Sequence, residues 1–180
     1  MKQFNLADGQ RAERKLLITV AEWRDPEGDI TIDGVKYSRE ILGRRTEDSS
    51  IEYNADISTT TDILGNNYTD LNKTQPQQSF DPFLVLGGSK LGALLNDIRR
   101  RNALSELNQF RLYIITAFVG QAGSYDAELH TDCSIIYNSI GGDTNVNFPI
   151  DAYFSNKITT GTVDKLSPDF TFDPDEPASV

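Results

Sequence analysis

The sequence predicts a mainly β domain, a β-sandwich or partial barrel with one flanking α-helix. Three observations predict it. Many short stretches alternate apolar and polar residues with a period of two, as strands with two unlike faces do. Turn chemistry such as Asp33-Gly34 and Gly65-Asn66-Asn67 separates them. Only one stretch, about 89–103, has helical spacing. No repeat runs at a fixed period. The 180 residues therefore read as a single domain, 1–180, with a flexible arm at 1–13 and a flexible tail at 167–180.

The elements follow in order. RKLLITVAEW (14–23) is rich in Leu, Ile and Val and reads as a strand. RDPEGD (24–29) is a turn. ITIDGVKYSREIL (30–42) reads as two short strands around Asp33-Gly34, a hairpin signal. Residues 51–63 form a long strand or one arm of a hairpin, turning at Gly65-Asn66-Asn67 and resuming over 68–73. QPQQSFDPF (75–83) is a connector stiffened by Pro76 and Pro82. Ser89 caps the helix, and Leu91, Leu94, Leu95 and Ile98 share one of its faces. FRLYIITAFV (110–119) is apolar on both parities, so it predicts a strand covered on both sides. SYDAELHTDCSIIY (124–137) alternates again, and 145–163 gives a strand through Val146, Phe148, Ile150, Ala152 and Phe154 before a Thr-rich one.

Composition bounds the function. With 17 Lys+Arg against 27 Asp+Glu, the formal net charge is −10. Binding nucleic acid through its phosphates needs clustered cations, which this balance opposes. The single cysteine, Cys133, forms no intrachain disulfide and suits a reducing compartment. The N-terminal stretch lacks a signal-peptide core, and no apolar run reaches the roughly 20 residues that span a bilayer. The expectation is a soluble protein made in the cytoplasm, with no membrane partner.

No constellation of side chains predicts catalysis, a metal or a cofactor. GGSK (87–90) places Ser before Lys, so it is a capped helix start and not a phosphate loop. His130 and Cys133 lack the second pair that zinc needs. Strand alternation also turns them to opposite faces, giving a surface His and a buried Cys. Arg99, Arg100 and Arg101 suit the negative end of the helix dipole or a neighbouring chain's acids. Trp23 reads as core.

The distinctive feature is surface patterning. Along EYNADISTTTDI (52–63), Glu52, Asn54, Asp56, Ser58, Thr60 and Asp62 fall on one face. Ile51, Tyr53, Ala55, Ile57 and Ile63 fall on the other, with Thr59 and Thr61. The second face asks for a core. A competing acidic face is Asp126, Glu128, His130 and Asp132. Long strands with open edges invite pairing with further chains.

Residues 40–83 resemble the tail tube (major tail) proteins of siphophages and prophages of Gram-positive bacteria. The likeness lies in an Ile-Leu-Gly opening, the acidic and Thr-rich alternation, DILG, and a PQQSFDPF connector before the helix. SIGGDTNVNFPIDAYFSNKITTGTV (139–163) resembles a later part of the same family, and the likeness spans roughly 14–172. It implies a β-sandwich whose long hairpins join into one inner β-barrel, hexameric rings stacked into a virion tail tube, and a genome passing through the lumen. It also implies a tape-measure protein, a tail terminator and a baseplate or distal tail protein as partners. Under that resemblance the 52–62 face lines the lumen, where it repels DNA in transit without binding it. The alternatives are a β-sandwich module that binds carbohydrate or a cell surface, and the inner tube of a contractile phage-like particle. For ring stacking the candidates are 1–13, 24–47 and the C-terminal tail.

Overall fold

A computed structural model describes residues 4–176; residues 1–3 and 177–180, the outer ends of the expected arm and tail, lie outside the described residues. The elements are β1 (Leu17–Arg24), β2 (Ile30–Ile32), β3 (Val35–Ile41), β4 (Ile51–Glu52), β5 (Asp56–Thr61), β6 (Asn67–Lys73) and β7 (Gln77–Phe80). Then come α1 (Lys90–Arg101), β8 (Phe110–Gln121), β9 (Ser124–Tyr137), β10 (Ile150–Tyr153), β11 (Ile158–Val163) and β12 (Phe172–Pro174). Short 3-10 turns cover Arg14–Leu16 and Leu104–Asn108. No helix among the described residues is long and apolar enough to cross a membrane.

All ladders are antiparallel, in the order β2-β3-β1-β8-β9-β10-β7-β4, with β11 and then β12 branching from β9. The sheet does not close into a barrel within the described residues. β9 is the pivot. Its first half lies between β8 and β11, and its second half pairs with β10. A bulge separates the halves: Phe110 faces Cys133 while Leu112 faces His130, so two steps on β8 span three on β9. The additional residue lies in the Thr131–Asp132 stretch, where Asp132 takes φ 57°, a conformation Asp tolerates better than most residues.

The hairpin at Asp33-Gly34 forms as expected, both residues having positive φ, which matches the right-handed strand twist. The helix starts at Ser89, whose Oγ accepts from Gly92 N at 3.0 Å. It ends at Asn102, which takes a left-handed conformation at φ 55°. Leu91, Leu95 and Ile98 are buried against the sheet, and Leu94 is partly buried against the same core. With Trp23, Phe110, Leu112, Ile135, Phe148 and Ile150 they make the main core. β8 is covered on both sides: Leu112 and Ile114 face this core, Tyr113 and Ile115 a second one. The expected strand at 145–163 begins only at Ile150. Before it, Asn147 bridges to Leu84 and Gly141 and bonds Phe83 N and Asp81, so 145–149 is a laced loop.

The second core is closed by the C-terminal segment. Leu166, Phe170 and Phe172 cover Val20, Tyr113, Ile115, Ala127 and Leu129. A buried ion cluster anchors this cover. Glu22, fully buried, faces Arg39 on β3 and Arg111 on β8. Arg39 Nε lies 2.6 Å from one carboxylate oxygen and an Arg111 guanidinium nitrogen 2.8 Å from the other. Arg39 also donates to the Phe170 carbonyl at 2.6 Å and sits 4.0 Å over that ring. Burial, then the charge of Glu22, pushes the Tyr113 hydroxyl up to about 12, so it stays a proton donor, 3.3 Å from Glu22. At the other terminus, Phe4 bridges to Val119 and its ring meets Phe118.

Candidate assembly surface

The region 51–75 extends the β4–β7 ladder beyond the body of the domain. Ile51 and Glu52 pair with Gln78 and Gln77. Tyr53 O then accepts from Gln75 N at 2.8 Å, and β5 pairs with β6 as a separate two-stranded sheet. Asn54 takes φ 42° and donates through Nδ2 to Gln75 O. The alternation expected to run unbroken from 51 to 63 is therefore interrupted. Glu52 belongs to the main sheet and Asp56, Ser58 and Thr60 to the hairpin. A second irregularity follows between Asp56 and Ile57, where Asp56 faces Lys73 but Ile57 faces Leu71.

Two faces result. Ile57–Leu71, Thr59–Thr69 and Thr61–Asn67 are opposed on one. Ser58–Asp70 and Thr60–Tyr68 are opposed on the other. The stretch 51–73 carries Glu52, Asp56, Asp62 and Asp70 against one cation, Lys73. Asp62 closes the turn. Its carboxylate accepts from Leu64 N, Asn66 N, Asn66 Nδ2 and the Tyr68 hydroxyl at 2.8–3.1 Å. These bonds, the Asn66 side chain's foremost, hold its carboxyl below the ordinary carboxylate value. Gly65 supplies the φ of 82° that the turn requires. Sequence reasoning gave Asp62 a place on the acidic face; its carboxylate is instead spent on the turn.

Among the described residues the apolar face finds no core. Ile57 and Leu71 remain 58% and 62% exposed, and at the tip Ile63 and Leu64 reach 103% and 80%. None of residues 53–75 belongs to either core cluster. An isolated two-stranded hairpin is marginal in water, so this element lacks its main source of stability within one copy.

Two sheet edges beside the hairpin are also open among the described residues. β4 ends the strand order on this side, and β5 pairs only with β6. On the far side, β9 pairs with β8 only as far as Cys133; beyond it, 134–137 have a ladder partner in β10 alone among the described residues. Between these edges run the β5–β4 arm, the β6–β7 arm, β10 and the end of β9.

The competing stripe on β9 does not form one acidic face. Asp126 receives the Thr116 hydroxyl, and Glu128 is half-buried. His130 is buried, against the surface position expected from alternation. His130 keeps its alternation with Asp126 and Glu128 and is covered by Phe154 and Ser155; the bulge at Asp132, just beyond it, adds a residue that brings Cys133 onto the same face, so both turn toward the main core instead of opposite ways. His130 Nδ1 meets the Ser155 carbonyl at 2.8 Å, its Nε2 stands 3.5 Å from Glu128, and its ring is edge-on to Phe154. Cys133 Sγ accepts from Ser155 N. Both side chains thus fasten the loop between β10 and β11. Burial pushes the Cys133 thiol above its ordinary value, away from the thiolate a nucleophile needs. Asp132 is exposed and paired with Lys157.

The GGSK stretch is likewise accounted for. Glu40 reaches the start of α1, taking the Ser89 hydroxyl at 2.8 Å and Leu91 N at 2.9 Å. A protein carboxylate already sits where a phosphate would bind. At the far end, Arg101 is held by Asp97 and Glu106.

No protein-family model and no curated protein matches the chain. Among solved structures, it is similar to a chain of the anti-feeding prophage cap, the tube terminating cap, at 12% identity and a TM-score of 0.46, covering 88% of this chain and 95% of that one. A chain of the anti-feeding prophage baseplate gives 9% identity and 0.47, covering 86% and 97%. A chain of the sheath-tube complex of an extracellular contractile injection system in its extended state gives 14% and 0.41, covering 82% and 88%. At these values the likeness assigns no family.

Proposed function

We propose that this chain is a structural subunit of a hollow tail tube, in a phage or a phage-tail-like particle. The observation that carries the reading is the β5–β6 hairpin, projecting with an uncovered apolar face between two open sheet edges. Copies arranged in a hexameric ring pair the β4–β5 edge of one with the end of β9 in the next. Repeated round the ring, this closes a continuous inner barrel, pairs the free edges of β4–β5 and of the end of β9, and covers Ile57 and Leu71. The sequence resemblance supports the same arrangement independently. The contacts at the ends of such a tube would be a tape-measure protein, a terminator and a baseplate.

The lumen is lined by the face that bears Asp56, Ser58, Thr60 and Asp70, continued on β4 by Glu52. DNA carries about one negative charge per 1.7 Å of its axis. A wetted acidic wall repels it, where a basic wall would hold it by counterion release. Negative-stain micrographs of the concentrated protein should show hollow tubes of stacked rings that do not retain duplex DNA. The variant Glu52→Lys/Asp56→Lys/Asp70→Lys should form tubes that do, in a salt-sensitive way. Tubes indifferent to this change would refute the lumen assignment; a persistent monomer with saturable glycan binding would refute the tube.

A further inference from the structure

The rings must also be held to one another, and the two ends of the projecting sheet suggest how. Six hydrogen bonds close the tip: four to the Asp62 carboxylate, one from Gly65 N to Asp62 O at 3.0 Å and one from Asp62 N to Asn66 O at 3.0 Å. A turn braced this tightly presents Ile63 and Leu64 as a fixed apolar knob, more exposed than any other aliphatic pair among the described residues.

At the opposite end of the same strands lies a second apolar patch. β6 runs from the tip through β7 to Val85, β9 leads to Ile140, and β10 is preceded by Val146. Val85 N donates to Val146 O at 3.0 Å, and the bridges of Asn147 to Leu84 and Gly141 fix the loops that carry all three. Val85, Ile140 and Val146 are 47%, 46% and 50% exposed. The charges complement as well. The hairpin is acidic, with Asp62 and Asp70 toward its tip. Arg44 and Arg45 stand on the loop that Thr46 ties to Pro82 O at this other end. Neither arginine has a carboxylate partner among the described residues. Glu47 and Asp48 follow in the same loop, so the apolar contact is the primary one and the two arginines its cationic flank.

We propose that Ile63 and Leu64 of one copy seat on the Val85–Ile140–Val146 patch of a second copy of this chain in the adjoining ring, head to tail. The contact joins two different surfaces, so it does not close on itself and propagates along an axis. This inference rests on the tube reading but is not required by it, since rings could instead stack through the arm or the tail.

Cysteine pairing tests it. The full chain carrying Leu64→Cys and Val146→Cys is concentrated, treated with a mild oxidant and run without reductant. Both positions are exposed, and native Cys133 is buried, so it stays out of the reaction. The expected result is a ladder of dimers, trimers and longer species that collapses to monomer on reduction. Val146→Cys alone and Leu64→Cys alone, each with one accessible thiol, should go no further than dimer. A double variant that goes no further than the single ones overturns the contact. If micrographs of that sample show tubes, the tube reading survives and only the stacking contact falls; if they show none, both fall.

Discussion

Replacing Glu22 by alanine should lower the unfolding free energy by about 3–5 kcal/mol, the usual cost of stranding a buried charge. Glu22 is wholly buried and is, among the described residues, the only carboxylate bonded to Arg39, whose side chain is itself 2% exposed. Without it, Arg39 has only the carbonyls of Phe170 and Pro168 and the Tyr113 hydroxyl for partners. Arg111 loses its ion pair with Glu22. The damage should extend to the second core, because Arg39 is what fastens Phe170 over Tyr113. Guanidinium denaturation of wild type and Glu22→Ala measures the difference directly. A loss below about 1 kcal/mol would mean the cluster is solvated, as surface ion pairs are.

Excising the hairpin should have the opposite profile. Joining Asn54 to Gln75 through two glycines removes 55–74, and the hydrogen bond from Gln75 N to Tyr53 O shows that the ends already meet. The removed residues bury nothing in either core, so the midpoint of thermal unfolding should shift by no more than a few degrees. Assembly should be abolished, because one open edge and the apolar face go together. Scanning calorimetry and size exclusion on one sample separate the two effects. A shortened chain that still forms tubes would remove the hairpin from the assembly mechanism.

Much of this architecture is legible in the sequence wherever a local signal suffices. The leucine spacing after Ser89 gives α1, Asp33-Gly34 gives the β2–β3 hairpin, and the apolar run at 110–119 gives a strand buried on both faces. The hairpin at 56–73 follows from its alternation and from Gly65. Features that depend on distant partners are not legible. Glu22, Arg39 and Arg111 come from three strands, and each alone reads as a polar residue in a strand. The one available hint is that Glu22 places a carboxylate inside a strand whose other charged residue, Arg24, is its last. The bulge at Asp132 has no glycine to mark it, so the turn of Cys133 onto the face of His130 escapes a strict two-residue period. Asp62 fits the acidic alternation as well as it fits the turn; only the bonds from Leu64, Asn66 and Tyr68 separate the roles.

The central claim is that the hairpin is stabilised between copies and not within one. Amide hydrogen exchange of the β5–β6 strands, compared between dilute monomer and assembled particles, tests it most directly. In the monomer these amides should exchange at rates set by local opening, far faster than those of β8. On assembly they should slow by orders of magnitude, into the range of the core strands. Equal, fast exchange of β5 and β6 in both states would contradict the account, because it would leave Ile57 and Leu71 uncovered in the finished particle.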